Sequence, residues 1–556
     1  MNNTGNAQPA TASAALVAKP APRRFPFLQL WPWAAAIASG VMLALCYAPW
    51  NKSGLIWFAL TPIIAAVWFG KSRRPFALGY VAGTVYFAMT FHWLSSLGEL
   101  FETPFLLGLP VLLALYLALY PAAWCWFLAR ILVPKDGDRL FPNSWRNLAF
   151  GALAACAWTA LEWTRGWMLS GFGWNGLGVA LHRDLPMIQI AEFTGVFGLT
   201  WLVTFTNVMA VIIVRRILGE LGPLFLKRIR WEFSLTISLI VVIFGYGTRG
   251  LMSKPPKPDA EINVAVVQPN IPQEQKFDPA SEDASLEVLE RLTGAAAVTK
   301  PDLIVWPESA VPRGMYADQR TFSFIEKLAA DLPCPLLAGT LIDAPTDDPP
   351  KTYNGVVLVP PGLLEHRPPE YHKVHLVPFG EYLPLRPLLG WMLGGLIPGD
   401  IDSGSELKLM NHPKIGDFGV LICFEDTLGN LTRQYNHQPN GRSARLLVNI
   451  TNDGWFLKTA GLEQHLANSV FRAIENRLPL LRCSNTGVTG LVETNGRVNR
   501  WIEPHTQGVA LRPVPLRNRP MTFYARWGDW IAWLSLVATI AVGATRFAKR
   551  TTPKIR

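Results

Sequence analysis

The stretch Gly419-Val420-Leu421-Ile422-Cys423-Phe424-Glu425-Asp426 is an apolar, β-branched run that ends in a cysteine, with acidic residues directly after it. Such a run predicts a buried strand, and a strand that stops at a cysteine delivers a thiol to a sheet edge where substrate can meet it. Alone, the octapeptide reads first as a core cysteine, because free cysteine is among the most buried residue types. The rest of the chain decides between the two.

The chain has 556 residues; half are hydrophobic, with 22 Trp and 29 Phe, and only 16% are charged. Soluble domains carry roughly 25% charge. The shortfall lies in residues 30–250, which are dominated by apolar runs, whereas 255–520 reads as a soluble domain. The net charge of +11 sits beside hydrophobic runs and forms no basic-aromatic stripe, which argues against nucleic acid as a partner. Of the six cysteines, Cys46, Cys125 and Cys156 lie in apolar runs. Cys334, Cys423 and Cys483 are far apart without metal-ligand spacing, and three in one domain leave at least one free thiol.

Residues 1–24 read as a disordered tail ending in Lys19, Arg23 and Arg24, without a signal-peptide cleavage pattern. Apolar runs follow at 31–49, 55–70, 76–95, 106–129, 147–163, 195–214, 233–251 and 529–547. Each approaches the ~20 residues that cross a hydrocarbon core, and Trp31, Trp33, Trp93, Trp163 and Trp530 mark ends as interfacial belts do. Eight transmembrane helices are expected, or seven if 55–70 is re-entrant. One set of connecting segments, from Lys19 to Arg556, holds twenty Lys and Arg; the opposite short loops hold Lys52, Arg165 and Arg183. That asymmetry predicts both termini in the cytoplasm and the large segment outside. The expected domains are the tail 1–24, a membrane domain 25–253, an external domain 254–520, and a last helix with its tail, 521–556. Within the loop 164–194, the run Gly171-Phe172-Gly173-Trp174-Asn175-Gly176-Leu177-Gly178 reads as an interfacial loop with a Trp anchor, or as backbone free to approach a ligand.

In the external domain, buried strands are predicted at 262–268, 303–306, 336–339, 418–423 and 446–450, with a hairpin from 354–359 to the stretch before Tyr371. Helices are expected around 286–292 and 461–476, and strands 480–484 and 488–493 close the sheet. Strands alternating with helices and hairpins suggest an α/β sandwich of mixed sheets. The chemistry falls at strand ends. Glu308 follows LIVW and Pro307, which stops the strand. Lys373 and Glu381 are charges in a Pro/Gly-punctuated apolar stretch, costly there unless paired. His372 and His375 lack a third metal ligand, and no metal or organic cofactor is implied. Glu, Lys and Cys together are chemically coherent: a base for the thiol, a cation for the negative oxygen that develops in acyl transfer, and a nucleophile.

These residues resemble the Glu-Lys-Cys triad of the nitrilase superfamily: Trp306-Pro307-Glu308, Lys373 and Ile422-Cys423-Phe424-Glu425 fall where that triad falls. More narrowly, His375-Leu376-Val377-Pro378-Phe379-Gly380-Glu381-Tyr382, Asn452-Asp453-Gly454-Trp455-Phe456 and Asn485-Thr486-Gly487-Val488-Thr489-Gly490 look like the apolipoprotein N-acyltransferase family, as does the helical layout. The resemblance covers all but residues 1–24. It implies an eight-helix membrane domain joined to an αββα nitrilase-like sandwich in a bacterial inner membrane, with the sandwich periplasmic. The implied partners are a phospholipid acyl donor, a diacylated apolipoprotein acceptor and the bilayer, served by a monomer. It implies Cys423 as nucleophile, Glu308 as base and Lys373 as oxyanion-side cation, with Glu381 and Glu425 positioning the site and Trp174 and Trp455 near the acyl chain. The chain departs from the family pattern at Phe424, where Tyr is common, and at Gly173-Trp174, where a proline often precedes the Trp.

The apolar insertion 383–398, with Trp391, Met392 and several Leu, reads as a mobile arm that dips into the membrane and gates lipid entry, with Trp391 meeting substrate; a packed core hairpin is the alternative. Two rival functions are a membrane-tethered amidase acting on a small amide, and a non-catalytic lipid-binding or transport protein. The latter needs buried charges lining a path, for which Glu162 and Glu192, expected at or beyond span ends, are the candidates.

Overall fold

The computed structural model describes residues 27–70, 74–132, 143–219, 231–254, 257–344, 350–364, 366–394 and 400–551. The tail expected over 1–24, the end of the arm at 395–398 and several of the basic residues that set the charge asymmetry lie outside the described residues.

Long apolar runs form helices because a helix satisfies every backbone polar group within itself. In chain order these are α1 (Phe27–Leu45), α2 (Thr61–Phe69), α3 (Pro75–Thr90), α4 (Pro104–Leu132), α5 (Ser144–Arg165), α6 (Ala191–Gly219) and α7 (Trp231–Met252). A helix also closes the described chain, at Trp530–Thr551. Each of the eight apolar runs therefore holds a helix. Among the described residues, Pro104–Leu132, Ala191–Leu218 and Trp231–Met252 are long and apolar enough to cross a membrane. The run at 55–70 does not form one long helix. A 3-10 turn, Ser53–Trp57, precedes the nine-residue α2, which starts at Thr61-Pro62, where proline suits a first helical turn. α6 is broken near its start at Gly195, whose φ is 63°; a Cβ there would lie 2.4 Å from the Tyr524 ring.

The domain after α7 is built on two mixed sheets. The first has strand order β13-β1-β2-β4-β5-β6 with β3 beside β4, and its strands are β1 (Ala260–Gln268), β2 (Leu303–Val305), β3 (Val311–Gly314), β4 (Leu336–Ala344), β5 (Lys351–Val359), β6 (Glu370–His372) and β13 (Gly508–Leu516). The second runs β12-β11-β10-β9-β8-β7, from β7 (Leu409–His412), β8 (Gly416–Ile422), β9 (Leu447–Thr451), β10 (Leu480–Ser484), β11 (Thr489–Val492) and β12 (Val498–Ile502). The sheets pack face to face through Val264, Val266, Leu337 and Val356 on one side and Val420, Ile422, Val448 and Leu481 on the other. Helices α8 (Glu282–Val298) and α9 (Gln319–Asp331) cover the outer face of the first sheet. Helix α10 (Arg386–Leu393) lies in the insertion. Helix α11 (Gly461–Asn476) covers the second sheet, with Leu421, Leu447 and Leu480 turned toward it. Residues alternate between these two cores along the end of β8, which is why Phe418–Ile422 is apolar and buried at every position rather than at every second one.

The expectation that 488–493 closes the sheet is corrected. β12 and β13 follow, and β13 pairs antiparallel with β1 along its whole length, from Ala260–Leu516 to Gln268–Gly508. Pro513 and Pro515 hid it, since proline inside a run argues against a strand except at an edge, where β13 lies. The strand expected over 418–423 ends at Ile422, and Cys423 opens a 3-10 turn, Cys423–Thr427.

α11 also seats the domain on the helices. The Gln464 amide accepts from Trp93 Nε1 and Asn175 Nδ2, each at 2.9 Å, and donates to the carbonyls of Ala48 at 2.9 Å and Thr90 at 3.0 Å. Arg477 at the end of α11 pairs with Glu192 at 2.9 Å. Gln464→Ala strands two buried donors on the helical side, Trp93 Nε1 and Asn175 Nδ2, at ~1–3 kcal/mol each. The expected result is a loss of at least about 3 kcal/mol of stability in detergent-solubilised protein, read from the unfolding midpoint. A loss below about 1 kcal/mol would show that the contact is incidental.

Candidate active site

Glu308, Lys373 and Cys423 come from three separate strand ends. Glu308 lies just past β2, Lys373 just past β6, and Cys423 just past β8. The C-terminal ends of the parallel strands β2, β8 and β9 point to one place, as ligand sites in open α/β sheets do. Cys423 has φ 52°, a left-handed conformation that is uncommon outside glycine and turns the residue out of the strand direction.

Glu308 is buried. Its Oε1 accepts from Asn354 Nδ2 at 2.7 Å and its Oε2 from the Asn452 N–H at 2.7 Å. Lys373 Nζ lies 3.5 Å from Glu308 Oε1 and reaches both Glu381 oxygens at 2.9 and 2.8 Å. Burial opposes the Lys373 charge, but Glu381 and Glu308 outweigh it and hold the ammonium well above its ordinary value. Lys276, which the sequence reading missed, donates from Nζ to the Glu308 carbonyl at 3.0 Å; burial lowers it to about 8 against the pull of Glu308. The Cys423 thiol feels Glu308 and Lys373 together. Burial, then the Glu308 charge, push it well above the ordinary thiol value, with Lys373 opposing. At neutral pH sulfur is thus protonated beside a carboxylate and a fixed cation.

Glu381 and Glu425 hold this geometry. Glu381 also accepts from the Asn354 side chain and the Val377 N–H, each at 2.8 Å. Glu425 is fully buried and accepts from Tyr371 Oη at 2.9 Å, Val374 N at 2.8 Å, His375 N at 3.1 Å and Ile422 N at 2.8 Å. It thereby ties the Lys373 loop to the strand that carries Cys423. Burial pushes its carboxyl up to about 7, against those N–H groups and Lys373.

Phe424, at the position noted as a departure, stacks between the rings of Trp174 at 6.3 Å and His375 at 5.9 Å. The 171–178 loop is therefore more than an interfacial anchor. Trp174 is buried against Trp93, Phe456 and His465, under Phe424, the residue after Cys423. Trp455 stacks on Phe101 at 6.0 Å. Trp391 is 85% exposed on α10, and no ring or hydrogen-bond contact joins it to the triad among the described residues. Glu162 lies in the last turn of α5, at a span end as expected, but it is buried, accepting from Thr200 Oγ1 at 2.6 Å, Leu177 N at 2.9 Å and Trp158 Nε1 at 3.1 Å.

Beneath Cys423 lies a buried charge network that sequence reading did not find. Arg482 bonds Asp426 at 2.8 Å and Asp453 at 2.9 Å; His465 bridges the same carboxylates at 2.9 and 2.8 Å. Asn449 donates to the Cys423 carbonyl at 3.2 Å, and His465 Nε2 approaches that carbonyl at 3.4 Å. Burial and Arg482 disfavour the His465 charge, yet Asp426 and Asp453 prevail and push it up to about 9 from 6.5. Because the folded value is the higher one, His465 contributes stability that is complete below about 6.5 and is lost as pH rises through about 9. Wild-type thermal stability is expected to decline across that window and His465→Gln to decline less. Parallel pH curves would remove His465 as the cause.

The chain matches two family profiles. Residues 39–209 match the apolipoprotein N-acyltransferase N-terminal domain, and residues 263–512 match carbon-nitrogen hydrolase. Among curated relatives, an apolipoprotein N-acyltransferase of Geobacter metallireducens is 34% identical over 524 residues, covering 93% of this chain and 95% of the relative. Relatives of the same name from Methylococcus capsulatus and Bradyrhizobium diazoefficiens are 31% and 30% identical, covering 89% and 94% of this chain and 92% and 96% of their own. A helical half and a nitrilase-like sandwich joined through α11, matched over nearly their whole length, place this chain in the apolipoprotein N-acyltransferase family.

Proposed function

We propose that this protein moves an acyl chain from a membrane phospholipid, through a thioester on Cys423, to the N-terminal α-amine of a diacylglyceryl-cysteine on an apolipoprotein. The observation that carries the reading is the convergence of a left-handed cysteine, a buried carboxylate and a doubly paired lysine at one end of the two packed sheets, against the helical half through Phe424 and Trp174.

Glu308 accepts the Cys423 proton as sulfur attacks the ester carbonyl. The oxyanion that forms faces the Lys373 ammonium and the Phe424 N–H, which lies in the first turn of a 3-10 segment and has no partner within it. The C–O bond breaks, the proton returns to the departing oxygen, and lysophospholipid leaves. The lipoprotein amine then attacks the thioester, Glu308 takes its proton, and the thiol is regenerated.

The eight apolar runs, each helical, and the charge asymmetry support a multi-pass inner-membrane protein with the domain 254–520 on the periplasmic face, between a membrane domain 25–253 and a last helix within 521–556. One chain carries every catalytic group, in keeping with a monomer. The exposed Leu385, Leu388 and Trp391 on and beside α10 support an arm that enters lipid. Trp391→Ser is expected to slow thioester formation in membranes several-fold, and unchanged acylation would sink the arm. The decisive experiment for the reaction is mass spectrometry of protein taken from membranes. An acyl mass on the Cys423 peptide, labelled from phospholipid and discharged by a lipopeptide amine, is expected. Turnover of small amides without that adduct would overturn the proposal.

A further inference from the structure

Lys276 ends a short helical turn, Gln273–Lys276, that follows β1. It is 3% exposed, and its ammonium donates to the Glu308 carbonyl at 3.0 Å. The Glu308 carboxylate pairs instead with Lys373, and among the described residues no carboxylate forms an ion pair with Lys276. A buried ammonium on one neutral acceptor is costly, and a neutral donor would serve that carbonyl without the cost. The carbonyl joins Glu308 to Ser309, whose φ of 45° is left-handed. Such a conformation persists only where its surroundings fix it. The same turn also reaches the carboxylate of Glu308. Gln273 accepts from Asn452 Nδ2 at 2.8 Å, while the Asn452 N–H holds Glu308 Oε2 at 2.7 Å.

The charges of the site call for a cation here. Lys373 faces two carboxylates, Glu308 at 3.5 Å and Glu381 at 2.8 Å. One cation against two anions leaves a negative surplus beside Cys423, which opposes a thiolate and then an oxyanion. We propose that Lys276 is the second cation of this site, a positioning residue that fixes Glu308 through its backbone and offsets the charge that Lys373 leaves over. Negative charge then builds more easily at the Cys423 sulfur and at the ester oxygen. The role rests on the acyl-transfer reading above and adds a residue to its machinery. The Glu308 charge acts on Lys276 in turn, opposing the burial that lowers its ammonium to about 8, so the cation is present at neutral pH.

The test compares the full-length protein in detergent with Lys276→Met, Lys276→Gln and Lys276→Arg. Two rates are followed against pH on the Cys423 peptide by mass spectrometry: thioester formation from phosphatidylethanolamine, and alkylation by iodoacetamide. Lys276→Met is expected to lower the kcat of thioester formation at least about tenfold, with KM within about twofold. Both rate curves are expected to move to higher pH by at least about half a pH unit, as loss of a nearby cation requires. Lys276→Arg keeps the charge and is expected to restore most of both. Lys276→Gln still reaches the carbonyl but without charge, and is expected to behave as Lys276→Met does. Wild-type curves in Lys276→Gln would show that the hydrogen bond alone matters and would overturn the proposal. So would a lower unfolding midpoint with both curves unmoved, or loss of the folded state in both neutral variants. Alkylation needs no lipid, so it decides the role of Lys276 even if wild type never forms a thioester.

Discussion

Cys423→Ala is expected to leave no acyl adduct and to lower acyl transfer by at least about 10⁴-fold, as removal of a nucleophile does elsewhere. The size follows from the site. No described cysteine other than Cys423 stands at a strand end beside Glu308 and Lys373: Cys334 and Cys483 are buried in the sandwich, and Cys46 and Cys125 among the helices. Cys423→Ser keeps an oxygen in place, but a hydroxyl is far harder to deprotonate than a thiol, so a thioester is replaced at most by a slow oxygen ester. The expected pH dependence points the same way. Burial and Glu308 raise the thiol, so the resting enzyme holds it protonated and the proton leaves during attack. Acyl transfer persisting in the alanine variant, measured from labelled phospholipid to lipopeptide, would refute the nucleophile and with it the two-step course.

The second large effect is on stability. Arg482→Met is expected to cost about 3–5 kcal/mol, the range for removing one partner of a buried ion pair. Arg482 is 1% exposed and answers Asp426 and Asp453, while also bonding Asn449 and Ser469, each at 3.0 Å. With His465 charged, the four groups balance; without Arg482 a net negative charge is stranded behind Cys423. That charge is felt by the Cys423 thiol as well. The variant should therefore both unfold earlier in detergent and shift its acylation–pH profile to higher pH. Adding Asp453→Asn restores neutrality and is expected to recover part of both losses. A single-variant loss below about 1 kcal/mol would mean that the network is not the keystone of this layer.

Arg482 and His465 also show where sequence reading stops. Arg482 lies in β10, whose pattern Leu-Leu-Arg-Cys-Ser reads as one face polar and exposed. Yet every residue of that strand is buried, because α11 covers the polar face and supplies its partners. α11 carries Gln464, His465, Asn468, Ser469, Arg472 and Glu475 at helical spacing, which reads as a solvated face. All are buried: Asp426, Arg482 and the Cys423–Thr427 turn meet His465, Ser469 and Arg472, and the helical half meets Gln464 and Glu475. The only signal available in advance was that these residues are so often amides, small hydroxyls and opposite charges, types that satisfy one another out of water.

By itself, the sequence determined what local pattern and chemistry can determine. Apolar length set a helix on each of the eight runs. Apolar runs stopped by proline, or by the cysteine itself, set the strand ends that carry Glu308 and Cys423. Charge, proline and glycine punctuation picked out Lys373 and Glu381. What only the tertiary structure decided was which polar residues face each other. Hydropathy along a chain records whether a side chain prefers water, not whether water or another polar residue awaits it. The network under Cys423 and the Gln464 joint between the halves both depend on that second question, and it is answered only when the sandwich is seated on the helices.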